Sequence, residues 1–422
     1  MSIITEIKKS RANIFRRLYF KKRNNSGDYE TSWTQVENKY IKKWGTISFS
    51  IDDVLPSFIK SNDINITVDN STGKFSDVTE SKSIFYNSVT KIRTLVKIEA
   101  GYTADDGTEY PTNSTLFVGI ITSNSKYKDD GSFDIQISPL TKVFDEIPVD
   151  LVSGMGVSQT ASNLVTNIKN YTQGGSYIFQ KFITSGGWNI TATTNNYDMA
   201  TTSSMQNMGC WEFMNKLAVA ENKFVYIDKT GDFYFTEKGV TGTSQFHFSG
   251  INDDNKTCGH NIMSTIVVDE NIDKVFNRVR ITYGTTETST STYVKQETWT
   301  WGDSSSSYYY GVREFKYQNE WMGVTAATAI ANTMYNEYLW PKLEISFDSK
   351  FVPQLNVQNT VSITYRSQKY ETGDLWNVGF WGSAIWGNRV GYNIYIDSMT
   401  TKIISITHNL DEIKSSLVLR EL

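Results

Sequence analysis

From Thr94 to Pro148 the alternation of apolar and polar positions predicts a meander of strands. Val96, Ile98 and Ala100 alternate with polar residues, Leu116 to Ile121 is a near-continuous apolar run, and Phe133, Ile135 and Ile137 alternate again. Asp105-Asp106-Gly107 and Asp129-Asp130-Gly131 separate these runs with residues that tolerate the left-handed backbone of tight turns. Ile47, Phe49 and Ile51 share one face of WGTISFSI, and Ile64, Ile66 and Val68 repeat the pattern before the turn Asp69-Asn70-Ser71-Thr72-Gly73. Together these segments predict a β module that ends near Pro148.

The texture then changes. Ser158 is placed to cap a helix in which Ala161, Leu164, Val165, Ile168 and Tyr171 fall at helical spacing. A second helix is expected from Trp211 to Asn222, with Phe213, Leu217 and Ala220 on one side. Phe224 to Ile227, the polar turn Asp228 to Asp232, and Phe233 to Phe235 then read as a hairpin. The last third returns to strands: FNRVRITYG, LEISF (343–347), VSITY (361–365), YNIYI (392–396), KIISIT (402–407) and the closing SLVLREL. One helix is set among them from about Val324 to Leu339, where Ala327, Ile330, Ala331, Met334 and Tyr338 line up before Trp340-Pro341.

These textures define a mainly β chain with an α+β insertion. A basic N-terminal arm (1–29) precedes a first β-barrel or sandwich module (30–148), a helix-and-hairpin domain (149–262) and a second β-barrel module (263–422). The second module carries the helix at about 324–339 and a Trp-rich loop at 376–387. At 422 residues the chain is long enough for several cores. Aromatics at 14% within a hydrophobic fraction of 39% point to β packing built on Phe, Tyr and Trp. Two cysteines, Cys210 and Cys258, give no disulfide framework, and no apolar run is long enough for a transmembrane helix.

Charge is unevenly spread. Residues 1–23 carry net +7 against −4 for the whole chain, so the remainder carries −11. Arg16 and Arg17 interrupt Ile14, Phe15, Leu18 and Tyr19, so the segment does not read as a secretory signal. Arg16, Arg17, Lys21 and Lys22 read either as an interaction surface for an anionic partner or as a solvated helix or edge strand. The first alternative implies that deleting residues 1–23 impairs assembly without unfolding the rest. Trp376, Trp381 and Trp386 recur every five residues, a period of neither helix nor strand. That loop reads as an exposed aromatic anchor or as a satellite core under a long loop.

Candidate chemistry is thin. His247 with Cys258-Gly259-His260 lacks the paired ligand clusters of a zinc site, and no cofactor or metal is expected. No Gly-x-Ser-x-Gly elbow, phosphate loop or His-Glu-x-x-His occurs. The acidic pairs Asp105/Asp106, Asp129/Asp130 and Asp253/Asp254 sit in turns or polar loops, where turn formation accounts for them. A glycosidase needs no fixed spacing between its two acids, so spacing alone does not argue against one.

The order of motifs carries a resemblance. WGTISFSID, SNDINITVDNSTGKF and TLVKIEAGY followed by LFVGIITSNSKYKDDGSFDIQISPLTKVFDE is similar to the front half of phage tail-tip and baseplate hub proteins. SQTASNLVTNIKNY with WEFMNKLAVAENKFVYIDKTGDFYF looks like the inserted helix-and-hairpin region of that family. FNRVRITYG, YYYGVREF, AATAIANTMYNEYLWPKLEISFDSKFVPQLNVQNTVSITY and ISITHNLDEIKSSLVLREL look like its second barrel. The resemblance implies two tail-tube-like β-barrel modules in a non-enzymatic virion protein assembled in the host cytoplasm. It implies a homotrimeric ring that adapts a sixfold tail tube to a threefold tip and surrounds a channel for tape measure and DNA, without specific DNA binding. The implied partners are a distal tail protein or tube ring, the tape measure, and tip or fibre proteins; no membrane insertion is implied. The chain closes at Leu422 with no appended wall-degrading or fibre-like domain, so lytic activity is expected of a partner. The alternatives are a hexameric distal tail protein and, from a different class, a glycan-binding or glycan-degrading tail protein.

Overall fold

The computed structural model describes the chain apart from residues 1–2, 10–11, 25–26, 52–57, 123–127, 156–158, 184, 198–207, 238–242, 251–259, 271, 287–288, 298–304, 320, 368, 372–389 and 393. The Trp-rich loop with Trp376, Trp381 and Trp386, and also Cys258 and Ser158, lie outside the described residues.

Two eight-stranded sheets dominate. The first runs in the order Thr34–Val36, Asn13–Lys21, Leu95–Thr103, Thr115–Ile121, Ser132–Pro139, Ile64–Asp69, Ile41–Lys43, with Glu109–Tyr110 paired onto Leu95–Thr103. The second runs His247–Ser249, Thr360–Arg366, Tyr395–Asn409, Lys414–Glu421, Leu343–Lys350, Val267–Glu270. The expected meander forms, and its turns are made as read: Gly107 and Gly131 both have positive φ, at 83° and 74°. The Asp106 and Asp130 carboxylates each accept the backbone N–H two residues on, at 2.9 and 2.8 Å.

One apolar core is shared by both sheets. It joins Leu18, Ile66, Ile98 and Ile135 of the first to Ile345, Ile363, Ile406 and Leu419 of the second. A second core holds the helices Ala161–Lys169 and Cys210–Ala220 against Val118, Ile120 and Leu140. The strand Thr115–Ile121 is therefore buried on both faces, Phe117 and Ile121 toward one core and Val118 and Ile120 toward the other. That double burial is why its sequence is a continuous apolar run instead of an alternation.

Four expectations are corrected. The first concerns the basic arm: Asn13–Lys21 is an interior strand, paired antiparallel with Leu95–Thr103 over its full length and with Thr34–Val36 on its other edge. Its core-facing alternation, with Leu18 and Phe20 buried, outweighs the charge of the intervening positions.

Second, Thr46–Ile51 leaves the first module and pairs with Tyr395–Asn409 in the second sheet, adding Ile59–Ser61 on its other edge. The crossing is made at Gly45, with φ +76°, where a Cβ would stand 2.5 Å from the Asn65 carbonyl oxygen. The Asp411 carboxylate accepts the Trp44 and Gly45 N–H groups at 2.8 and 3.1 Å and pins the crossing to the far turn.

Third, Arg278–Thr286, Ser289–Gln296 and Glu314–Asn319 form a separate three-stranded sheet. Helix Val324–Tyr338 packs on it, and its Ala327, Ile330, Ala331 and Met334 join Val279 and Ile281 in the core of the helix-and-hairpin unit. The helix thus belongs to the middle core, and Phe213 meets Trp321 at 5.4 Å between ring centres.

Fourth, Thr160 caps the first long helix, its hydroxyl accepting the Asn163 N–H at 3.3 Å.

Candidate interaction surface

Each of the four cations singled out in the N-terminal segment is engaged within the chain. The Arg16 guanidinium donates to the Leu410 carbonyl and sits 5.4 Å from the Trp44 ring centre, closing the end of the shared core. Arg17 forms a two-pronged pair with Glu109, one arm at 2.9 Å, and the Glu109 carboxylate raises the guanidinium further above its already high range. Lys21 stands 5.8 Å from the Trp33 ring centre. Lys22 donates to the Tyr86 carbonyl at 2.8 Å and lies 3.5 Å from Glu30. These contacts follow from strand register: Arg17 is placed opposite Glu99, beside the short Glu109–Tyr110 strand on the neighbouring Leu95–Thr103. The structure brings the four cations onto one strand and its exit, where Arg17 braces the first sheet and Arg16 reaches the turn at Leu410 beyond the second sheet's strand Tyr395–Asn409.

An exposed aromatic cluster lies elsewhere, at Tyr308 to Tyr310 and Trp340. Glu297 accepts the N–H groups of Ser306 and Ser307 at 3.0 and 2.8 Å, and the Ser305 hydroxyl accepts that of Tyr308 at 3.2 Å. These bonds start the short helix Ser306–Tyr310, which presents three consecutive tyrosines. Tyr309 and Tyr310 each lie 6.2 Å from the Trp340 ring, yet Tyr308 and Tyr309 remain about 60% exposed and Trp340 41% exposed. Its sequence signal is the Tyr308-Tyr309-Tyr310 run after a serine tract.

The helix-and-hairpin unit touches both sheets through the turn Asp228 to Asp232. Gly231 packs beside Val118, and Lys229 donates to the Pro353 carbonyl at 3.0 Å. A cavity of about 430 Å³ opens beside it, lined by Phe49, Ile59, the stacked pair Tyr226 and Tyr234, and Asn359. Burial lowers the Lys229 amine to about 8. Its charge reaches His408, which is buried, holds Ser415 through Nδ1 at 2.9 Å and is lowered to about 3, chiefly by burial.

The remaining candidates are dispersed. His247 Nδ1 meets the Ser362 hydroxyl at 2.8 Å and His260 Nδ1 meets the Gly250 carbonyl at 2.7 Å. Among the described residues no group of three or more His, Cys, Asp or Glu side chains could hold a metal ion. Backbone hydrogen bonds lower the Asp69 and Asp106 carboxyls, and the Ser132 hydroxyl and N–H lower that of Asp130. These shifts run opposite to what a general acid requires. Among the described residues no helix is long and apolar enough to cross a membrane.

The fold has a counterpart among solved tail-protein structures. The tail protein from Neisseria meningitidis matches 97% of this chain and 96% of its own, with a TM-score of 0.51 and 11% identity, which shows a shared fold. A 43 kDa prophage tail protein from Shewanella oneidensis aligns over 96% of this chain and 98% of its own, with a TM-score of 0.49 and 11% identity. A prophage tail protein from Listeria monocytogenes covers 96% of this chain and 94% of its own, at 0.49 and 10%. No protein-family model matches the sequence, and no curated protein is similar to it.

Proposed function

We propose that the chain is a structural protein of a phage-type tail, resident in the virion, and that it serves as the hub of the tail tip or baseplate. The observation that carries this reading is the end-to-end correspondence in fold with the Neisseria tail protein, at nearly full coverage of both chains. Two eight-stranded sheets fused on one core support the hub in particular. A chain with two such sheets offers two large sheet faces, and three copies then present six, the number a sixfold tube needs at a threefold tip. Closure of such a ring uses two different patches per subunit and makes each subunit's stability depend on its neighbours. The proposed partners are a distal tail protein or tube ring above, tip or fibre proteins below, and the tape measure and DNA in the lumen. The proposed role is architectural and needs no catalysis. Negative-stain imaging of the purified chain tests this: threefold rings with a central opening support the hub, whereas sixfold rings support a distal tail protein.

A second reading draws on the cluster of Tyr308, Tyr309, Tyr310 and Trp340. Exposed aromatic faces of this kind stack on saccharide rings, which favours a glycan-binding role for the tail. Glycan-array binding that is lost in Trp340→Ala supports it, and an array with no signal removes it.

A further inference from the structure

We propose that a cleft between the first sheet and the helix-and-hairpin unit binds a carboxylate-bearing segment of a protein partner. The cleft holds about 400 Å³ and is lined by Arg23, Arg93 and Lys181, with Tyr29, Tyr171 and Phe182 among the rings beside them. That volume is within the range of about 300 to 1,000 Å³ typical of ligand pockets.

The walls are fixed before any ligand arrives. Tyr29 packs edge-on to Phe182 at 5.7 Å and donates its hydroxyl to the Arg93 carbonyl, and burial raises its phenol well above the usual range. It is therefore a neutral wall that spans both units. Arg23 is aimed by its own turn: its Nε donates to the Gly27 carbonyl at 2.9 Å, and its guanidinium lies 6.0 Å from the Tyr29 ring centre. Gly27 has φ +83°, and a Cβ there would stand 3.3 Å from the Arg23 guanidinium, so the turn leaves room for that group.

The charges do not balance. Arg93 pairs with Glu146, and Lys181 lies 3.1 Å from Asp28. Among the described residues no ion pair engages Arg23, and its undescribed neighbours Asn25 and Ser26 carry no carboxylate. Three cations thus face two carboxylates around one cleft, an excess of a single positive charge beside a preset guanidinium fork. A carboxylate matches that fork in shape and charge. Leu151, at the same cleft, is 60% exposed. A ligand that carries an apolar group next to its carboxylate covers it, as an acidic peptide segment does and a free phosphate does not. The site stands independently of the tail reading.

Isothermal titration of the full chain with acetyl-Glu-Phe-amide, acetyl-Gln-Phe-amide and inorganic phosphate tests the proposal. The Glu peptide is expected to saturate one site. Its affinity is expected to fall at least about threefold on raising salt from about 0.05 to about 0.3 M, because the Debye length shortens. Arg23→Gln is expected to weaken it about tenfold, the cost of one charge-assisted pair, and Arg23→Lys less. Absence of saturable binding, equal binding of the Gln peptide, or salt-independent affinity overturns the proposal without recourse to a variant. Phosphate binding as tight as the Glu peptide overturns it in favour of a free-anion pocket.

Discussion

The Tyr102 hydroxyl donates to the Phe351 carbonyl at 2.5 Å, and the two rings lie 6.2 Å apart. Tyr102 belongs to Leu95–Thr103 in the first sheet, and Phe351 follows Leu343–Lys350 in the second. One buried bond therefore bolts the two sheets together over their common core. Tyr102→Phe keeps the ring and orphans the carbonyl, so it is expected to cost about 1–2 kcal/mol. Urea unfolding checks this; an unchanged midpoint would mean that this bond adds nothing to the hold between the sheets.

His408 predicts a pH dependence. The imidazole is buried against Phe351, hydrogen-bonded to Ser415 and repelled by the Lys229 charge, and its pKa falls from 6.5 to about 3. Between those values the unfolded chain binds a proton that the folded chain does not, so stability is lost as pH falls through this window. At pH 5 the expected loss from this group is about 2 kcal/mol relative to pH 7. His408→Gln should flatten the profile between pH 7 and 5, and equal slopes in both proteins would contradict the assignment.

Gly45 carries the chain from one sheet to the other, at a positive φ and against the Asn65 carbonyl. Gly45→Ala meets both obstacles, strained backbone and a clash with backbone that cannot swing away. A loss of at least about 2 kcal/mol is expected. A change below about 0.5 kcal/mol in thermal or urea unfolding would show that the crossing adapts freely.

Removal of residues 1–23 is expected to cause a folding defect, whereas an interaction arm implies impaired assembly without unfolding. The truncation takes out the strand between Thr34–Val36 and Leu95–Thr103, and with it the buried Leu18 and Phe20. Circular dichroism melting should lose its cooperative transition or move it down sharply. A truncated chain that melts like the intact one would restore the arm.

Most elements were legible because their burial is one-sided. Ile64, Ile66 and Val68 are buried with exposed or half-buried neighbours between them, so period two survives in the sequence. The helix Val324–Tyr338 was legible from its small and apolar stripe. Which core that stripe faces was not, since periodicity reports a face and never its partner. Asn13–Lys21 is hidden in the sequence because a cation falls on each face, Arg16 beside Leu18 and Phe20 and Arg17 and Lys21 opposite, and a partner such as Glu109 lies far away in sequence. Thr46–Ile51 is legible as a strand but its sheet is not, because its partner begins at Tyr395, more than three hundred residues on. The aromatic site was missed for a similar reason: Trp340 joins Tyr309 only in the folded chain.

The proposed hub rests on subunit number. Native mass spectrometry of the purified full-length chain, at concentrations spanning the low micromolar range, reads that number directly. A mass of three times 48.0 kDa is the predicted result. A closed hexamer, or a monomer that persists at every concentration, contradicts the threefold hub.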